Sequence, residues 1–249
     1  MKIAITGKGG SGKTMVAGAL VRHLAERGHD VVAVDADPNP NLGISLGVDA
    51  PQVEGMQPIL NALIASGHTH DQPMPDPDEL VARYGISAPA GVSLVATGKI
   101  ERPTESCLCC GSHSTTRRFF GDLPAEGRIV VADLEAGLND LIWVHPAPED
   151  VVVAVAEPSA KSVDVASRAV RLAREMGVER ILAVANRCRS DADADRLATA
   201  LGVETFAVPD DPAVAAADRR GVATFDADRS SPAMAAVGRL ADALIGAAV

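Results

Sequence analysis

Ile3-Ala4-Ile5-Thr6-Gly7-Lys8-Gly9-Gly10-Ser11-Gly12-Lys13-Thr14 is the stretch on which the architecture turns. An apolar run enters a glycine-rich turn, and a helical pattern over 15–27 follows, stopped by Gly28. From Gly7 onward the stretch fits G-x-x-x-x-G-K-[ST] at every fixed position, in the strand-to-helix context that pattern requires. Gly9, Gly10, Ser11 and Gly12 are small enough to let the backbone wrap a phosphate and turn successive N–H groups inward. Lys13 supplies a point charge for the outer phosphates, and the Thr14 hydroxyl is placed to ligate Mg²⁺. The helix that follows presents its positive end to the same anion. Lys8 is not required by the turn, so its charge asks for a separate purpose.

Outward from this loop, short aliphatic runs alternate with helical patterns. Strands are expected at 30–35, 92–96, 128–133, 150–155, 180–185 and 204–208, and helices at 114–120, 159–176, 191–201, 213–220 and 231–247. The segment 47–84 is less regular, with a Pro- and Asp-rich surface loop at 68–78. The alternation predicts an α/β P-loop fold: one domain, 1–249, with a mostly parallel central sheet covered by helices on both sides. Hydrophobic residues make up 47% of the chain and aromatics only 2%, so the core must be built from Ala, Val, Leu and Ile. Such runs suit parallel strands buried on both faces.

The formal net charge of −10 argues against a nonspecific nucleic-acid binder. No apolar run reaches the length of a membrane span. The segment 234–249 is Ala-rich but carries Arg239 and Asp242, which reads as a packing helix and not as a basic membrane-surface helix. The expectation is a cytoplasmic protein with no nucleic-acid partner and no stable membrane association. Of four cysteines, Cys107, Cys109 and Cys110 fall within four residues, a clustering that points in a reducing compartment to metal or redox chemistry. Cys188 stands alone and reads as structural.

A nucleotide hydrolase must place Mg²⁺ and orient a water toward the γ-phosphate. Two acids at strand ends are available. Asp133 fits the Mg²⁺ side, directly or through a water. Asp37, just beyond strand 30–35, fits the residue that orients or activates water, and it can reach the Mg²⁺ shell through a water. Asp35 supports that loop or shares the task, and Gly137 offers a backbone N–H toward the γ-phosphate.

The loop Gly7 to Thr14 resembles the deviant Walker A motif of the MinD/ParA family of dimeric ATPases. Asp35-Ala36-Asp37-Pro38 resembles that family's first switch and Asp133-Leu134-Glu135-Ala136-Gly137 its second. Asn186-Arg187 resembles its adenine-recognising pair, and Pro209-Asp210 sits where the family places another adenine-contacting loop. The resemblance covers essentially the whole chain. It implies ATP and ADP as ligands, Mg²⁺-dependent hydrolysis, and a nucleotide-dependent homodimer in which Lys8 reaches the partner's phosphates.

Cys107-Leu108-Cys109, with Glu135 in the second switch, is similar to the CooC-type accessory ATPases, which assist nickel insertion into carbon monoxide dehydrogenase. That likeness implies a client metalloenzyme of this kind and a metal site at Cys107 and Cys109, with Cys110 as a further candidate. Two thiolates per chain are too few for a closed tetrahedral site, and a twofold dimer doubles them to four. Thiolates suit Ni²⁺ or Zn²⁺. Two alternatives stay open. The cysteines could hold an iron–sulfur cluster, as scaffold or as an ATP-driven reductase component like the nitrogenase iron protein. The chain could instead be a MinD/ParA-type positioning switch without metal.

Overall fold

Eight strands join in one sheet in a computed structural model that describes residues 1–69, 72–100 and 108–246, of which 108–113 by backbone alone. They are β1 (Lys2–Gly7), β2 (Asp30–Asp35), β3 (Ile86–Ala88), β4 (Val92–Ala96), β5 (Arg128–Asp133), β6 (Val151–Ala156), β7 (Arg180–Cys188) and β8 (Glu204–Pro209). Their order across the sheet is β3-β4-β2-β5-β1-β6-β7-β8. All neighbours run parallel except the edge pair β3–β4. The expected α/β architecture, mostly parallel and helix-covered, is therefore the observed one.

The strand residues alternate between two helix layers, as a pleated strand demands. Ile3, Ile5, Val31, Ala33, Val131 and Val153 share one core with α1 (Lys13–Glu26), α2 (Leu42–Leu46), Val53 of α3 (Ala50–Glu54) and, near the C-terminus, residues 233–244. Ala4, Val32, Val34, Val130, Ala132 and Val152 face the other layer. There they meet α4 (Ile59–Ala65), α5 (Pro77–Tyr84), α6 (Leu108–Asp122), α7 (Asn139–Val144) and α8 (Ala160–Glu175). A third cluster joins α8 and α9 (Asp191–Leu201) to Ala154, Ala156, Ala183 and Ala185. The chain closes with α10 (Pro212–Arg219), α11 (Thr224–Ala227) and α12 (Pro232–Gly246). Three of the four phenylalanines are buried, Phe119 and Phe120 on α6 and Phe225 on α11, so aliphatic packing carries most of the core.

Helix starts follow local chemistry. Ser159 caps α8 by accepting from the Ser162 N–H, and Ser190 caps α9 by accepting from the Asp193 N–H. Asp211 caps α10 ahead of Pro212 at its first position. The start of α1 differs: Gly12 occupies the cap with φ 90° and no side chain to satisfy the free N–H groups. A helix end left open in this way suits an external anion.

Two expectations shift. The segment 47–84, expected to be less regular, holds three short helices, α3 to α5, and a fourth, α2, stands just before it. Helix α6 begins at Leu108, six residues before the expected start, so the backbones of Cys109 and Cys110 lie in its first turn.

Candidate nucleotide site

Strands β1, β5 and β2 run side by side and end together, which brings the phosphate loop, Asp133 and Asp35 to one edge of the sheet. In the register Ile5 lies opposite Asp133, and Asp133 opposite Asp35. Crevices at the carboxyl ends of parallel strands are where open α/β sheets bind ligands.

The loop between β1 and α1 is held by close approaches that only glycine permits. Gly7 has φ 154°, and a Cβ there would strike the Val155 carbonyl oxygen of β6. A Cβ on Gly12 would strike Nδ2 of Asn186. That amide is buried and donates to the Ser11 carbonyl at 2.7 Å. Asn186, at the end of β7, thus braces the phosphate loop from behind. Lys13 is buried at 7% exposure, whereas Lys8 stands in a more open position and its Nζ donates only to the neighbouring Gly9 carbonyl at 3.1 Å.

Two buried side-chain oxygens at this edge, Ser11 Oγ and Asp133 Oδ1, have no hydrogen-bond partner among the described residues. A buried carboxylate oxygen without a donor costs free energy unless a proton or a cation satisfies it. Burial pushes the Asp133 carboxyl up to about 6; the Thr14 hydroxyl and the Lys13 ammonium favour its charged form, and Asp37 opposes it. The acid, the hydroxyl and the ammonium are the donor set that a Mg²⁺–phosphate group requires, so the residues fit that group.

Asp35 does supporting work. Its carboxylate accepts from the Leu42 N–H at 2.8 Å and the Asp37 N–H at 3.2 Å, which folds the switch loop back over the strand end. Burial, and then the Asp133 charge beside it, hold the Asp35 carboxyl well above the usual range. Asp37 accepts from the Asn39 N–H at 2.8 Å in its own turn. The loops after β2 and β5 are tied directly, since the Ala36 N–H donates to the Asp133 carbonyl at 3.0 Å.

Gly137 departs from expectation. Its N–H donates to the Gly7 carbonyl at 3.0 Å, and its carbonyl accepts from the Thr6 hydroxyl at 3.3 Å. The donor expected to face a γ-phosphate is spent on the phosphate loop, because Gly7 and Gly137 form a short antiparallel bridge. The Glu135 N–H in turn donates to the Asp140 carboxylate of α7 at 2.7 Å.

Beside α1 opens a cavity of about 490 Å³, a size ordinary for a small-molecule site. Gly10, Gly12, Lys13 and Thr14 form one end, and Asn186, Arg187, Pro209 and Asp210 contribute to its wall. The four residues expected near the base are therefore brought together with the phosphate loop. Arg187, at φ 56°, also donates to the Gly10 carbonyl at 3.1 Å and pairs with Glu157 at 3.3 Å. Lys8, Asp37 and Asp133 stand outside these walls. Sequence reasoning missed Ile44, Val214, Asp218 and Phe225, which also line the cavity. The spacing of Val214 and Asp218 on one face of α10 was the one available signal, and nothing local pointed that face at a ligand.

Cys107 lies outside the described residues, as do the side chains of Cys109 and Cys110. Among the described residues no three His, Cys, Asp or Glu side chains gather for a metal ion. Cys188 is buried, its thiol donates to the Ala185 carbonyl at 3.3 Å, and burial pushes its titration up, which keeps it inert. No helix among the described residues is long and apolar enough to cross a membrane.

Residues 2–225 match the family model described as the CobQ/CobB/MinD/ParA nucleotide binding domain. The carbon monoxide dehydrogenase accessory protein CooC of Rhodospirillum rubrum is 31% identical over 244 residues, covering 91% of this chain and 90% of that protein. An uncharacterized ATP-binding protein of Methanocaldococcus jannaschii is 32% identical over 197 residues, covering 77% of this chain and 76% of the other. Among solved structures, the septum site-determining protein MinD of Pyrococcus horikoshii, complexed with Mg-ADP, superimposes with TM-score 0.76 at 20% identity, covering 99% of this chain and 96% of that one.

Proposed function

The chain belongs to the CobQ/CobB/MinD/ParA nucleotide-binding family and, within it, to the CooC-type ATPases, and from that premise we propose that it is a dimeric, ATP-hydrolysing metallochaperone for a nickel enzyme of the carbon monoxide dehydrogenase kind. The observation that carries the nucleotide part is the unpartnered, buried Asp133 oxygen beside Thr14 and Lys13 at the mouth of a glycine-braced loop. The metal part rests on the likeness to CooC and on the cysteine cluster.

In this reading the whole chain acts as one ATPase domain. Gly9 to Gly12 wrap the β-phosphate with backbone N–H groups, Lys13 holds the outer phosphates, and Asn186, Arg187, Pro209 and Asp210 receive the base. Thr14 would hold Mg²⁺ directly, with Asp133 and Asp37 in its shell. Mg²⁺ supplies charge neutralisation on the β- and γ-oxygens. Asp37 orients the attacking water, while Asp35 fixes the turn that carries Asp37. Lys8, which among the described residues bonds only within its own loop, reaches the phosphates of the second copy, so that hydrolysis needs the dimer. Closure of the dimer brings Cys107 and Cys109 of both copies together around one Ni²⁺ or Zn²⁺, the cargo, and opening after hydrolysis releases it.

The test is activation of a nickel-deficient carbon monoxide dehydrogenase at limiting Ni²⁺. Activation should require the chain and MgATP together and should fail with Lys8→Ala. Equal activation by the chain without ATP would overturn the proposal.

A further inference from the structure

Behind the base end of the cavity sits a buried guanidinium that the nucleotide reading does not use. Arg22 projects from α1, two turns beyond Thr14, with its side chain 6% exposed. It donates through Nη1 to the Leu46 carbonyl at 2.7 Å and to Asp226 Oδ2 at 3.0 Å. Through Nη2 it donates to Asp226 Oδ1 at 2.8 Å, completing a two-pronged ion pair. The same guanidinium lies 4.7 Å from the ring centroid of Phe225. Its Nε is buried with no partner among the described residues, so the group is placed by its fork and not by full satisfaction.

Leu46 and Asp226 do not line the cavity themselves, but each sits on a helix whose neighbouring residues do. Phe225 and Thr224 of α11 line it, and so do Ile44 and Ser45 of α2. Leu46 is the last residue of α2, and the first, Leu42, is bonded to Asp35 in the switch. The fit is close: a Cβ on Gly47, at φ 90°, would strike the Asp226 carboxylate, and one on Gly18 would lie 2.7 Å from the Ser45 Cβ. One side chain on the phosphate-loop helix therefore ties together two helices that each supply residues to the cavity lining.

We propose that Arg22 is a positioning residue for nucleoside recognition: its fork onto Leu46 and Asp226 holds α2 and α11 at the spacing the base and ribose need. The proposal deepens the nucleotide reading and rests on it. Only a planar fork serves both partners at once, which a lysine ammonium does not reproduce. The phosphate end, built from Gly9 to Thr14 and braced by Asn186, does not depend on this clamp.

The test compares binding of two probes by calorimetry, MgATP and magnesium tripolyphosphate, which carries the phosphates without the nucleoside. Arg22→Lys and Asp226→Asn both keep side-chain volume, and Asp226 is 44% exposed, so that variant keeps the fold. Both should weaken MgATP by about tenfold while tripolyphosphate stays within about twofold. Parallel loss of both probes, or MgATP affinity unchanged in both variants, overturns the proposal. A wild-type chain that binds neither probe removes instead the nucleotide reading beneath it.

Discussion

Asp35 and Asp133 stand opposite each other on adjacent parallel strands, both buried and both with carboxyls pushed upward, yet only Asp35 is satisfied by the protein itself. Two backbone N–H groups hold Asp35, whereas one oxygen of Asp133 has no partner among the described residues. The division matches the two roles proposed for these acids: Asp35 shapes the loop over 35–42, and Asp133 keeps an oxygen for a cation.

That asymmetry sets a pH dependence. The Asp133 carboxyl is raised from its ordinary 3.8 to about 6 in the folded chain. A raised folded value adds stability that is complete below about 3.8 and lost as pH climbs through about 6. Asp133→Asn should therefore raise the melting temperature of the ligand-free chain by about 6 to 12 °C at pH 7.5 and by at most about 2 °C at pH 4. The same variant should lose MgATP hydrolysis. Melting curves at both pH values check the first claim; an equal shift at pH 4 would contradict it.

Lys8 and Lys13 should separate binding from assembly. Lys13 is buried at the cavity, whereas Lys8, among the described residues, bonds only to its neighbour's carbonyl. Lys13→Ala should abolish MgATP binding. Lys8→Ala should keep it within about threefold and lose hydrolysis by about a hundredfold or more, as expected for removing a charge that acts on transferring phosphate. Binding and turnover measured on the same preparations decide whether the two lysines differ.

Gly12 and Asn186 should couple. Gly12→Ala places a methyl against the Asn186 amide in a left-handed backbone region. The collision and the backbone strain together should cost about 3 kcal/mol or more. Adding Asn186→Ala relieves the collision, leaving about 1 to 2 kcal/mol of strain from the left-handed backbone, together with whatever the lost bond to Ser11 contributed. A double-mutant cycle by denaturant unfolding would return a coupling near zero if the two side chains did not meet.

The sheet and the phosphate loop were legible because their signals are local. Runs such as Val151–Ala156 are aliphatic throughout and bury both faces, and the loop's glycines sit at fixed spacing. The helices α2 to α5 escaped because they span five to eight residues, too short for a periodic pattern. The edge strand β3 has three residues and owes its pairing to β4. The bonding of Gly137 to Gly7 was not legible either, since it depends on β1 and β5 lying side by side. Arg22 read as one more position on an amphipathic helix until α2 and α11 closed over it.

The central claim is that ATP draws two copies together around a metal held by Cys107 and Cys109. Elemental analysis and molar mass, taken on the same chromatographic peak with and without MgATP, test it most directly. The account predicts one nickel or zinc per two chains in a dimeric, ATP-bound peak, and its loss in Cys107→Ser and Cys109→Ser. Unchanged metal content in those variants, iron and sulfide in place of nickel or zinc, or a monomer under every condition would contradict it.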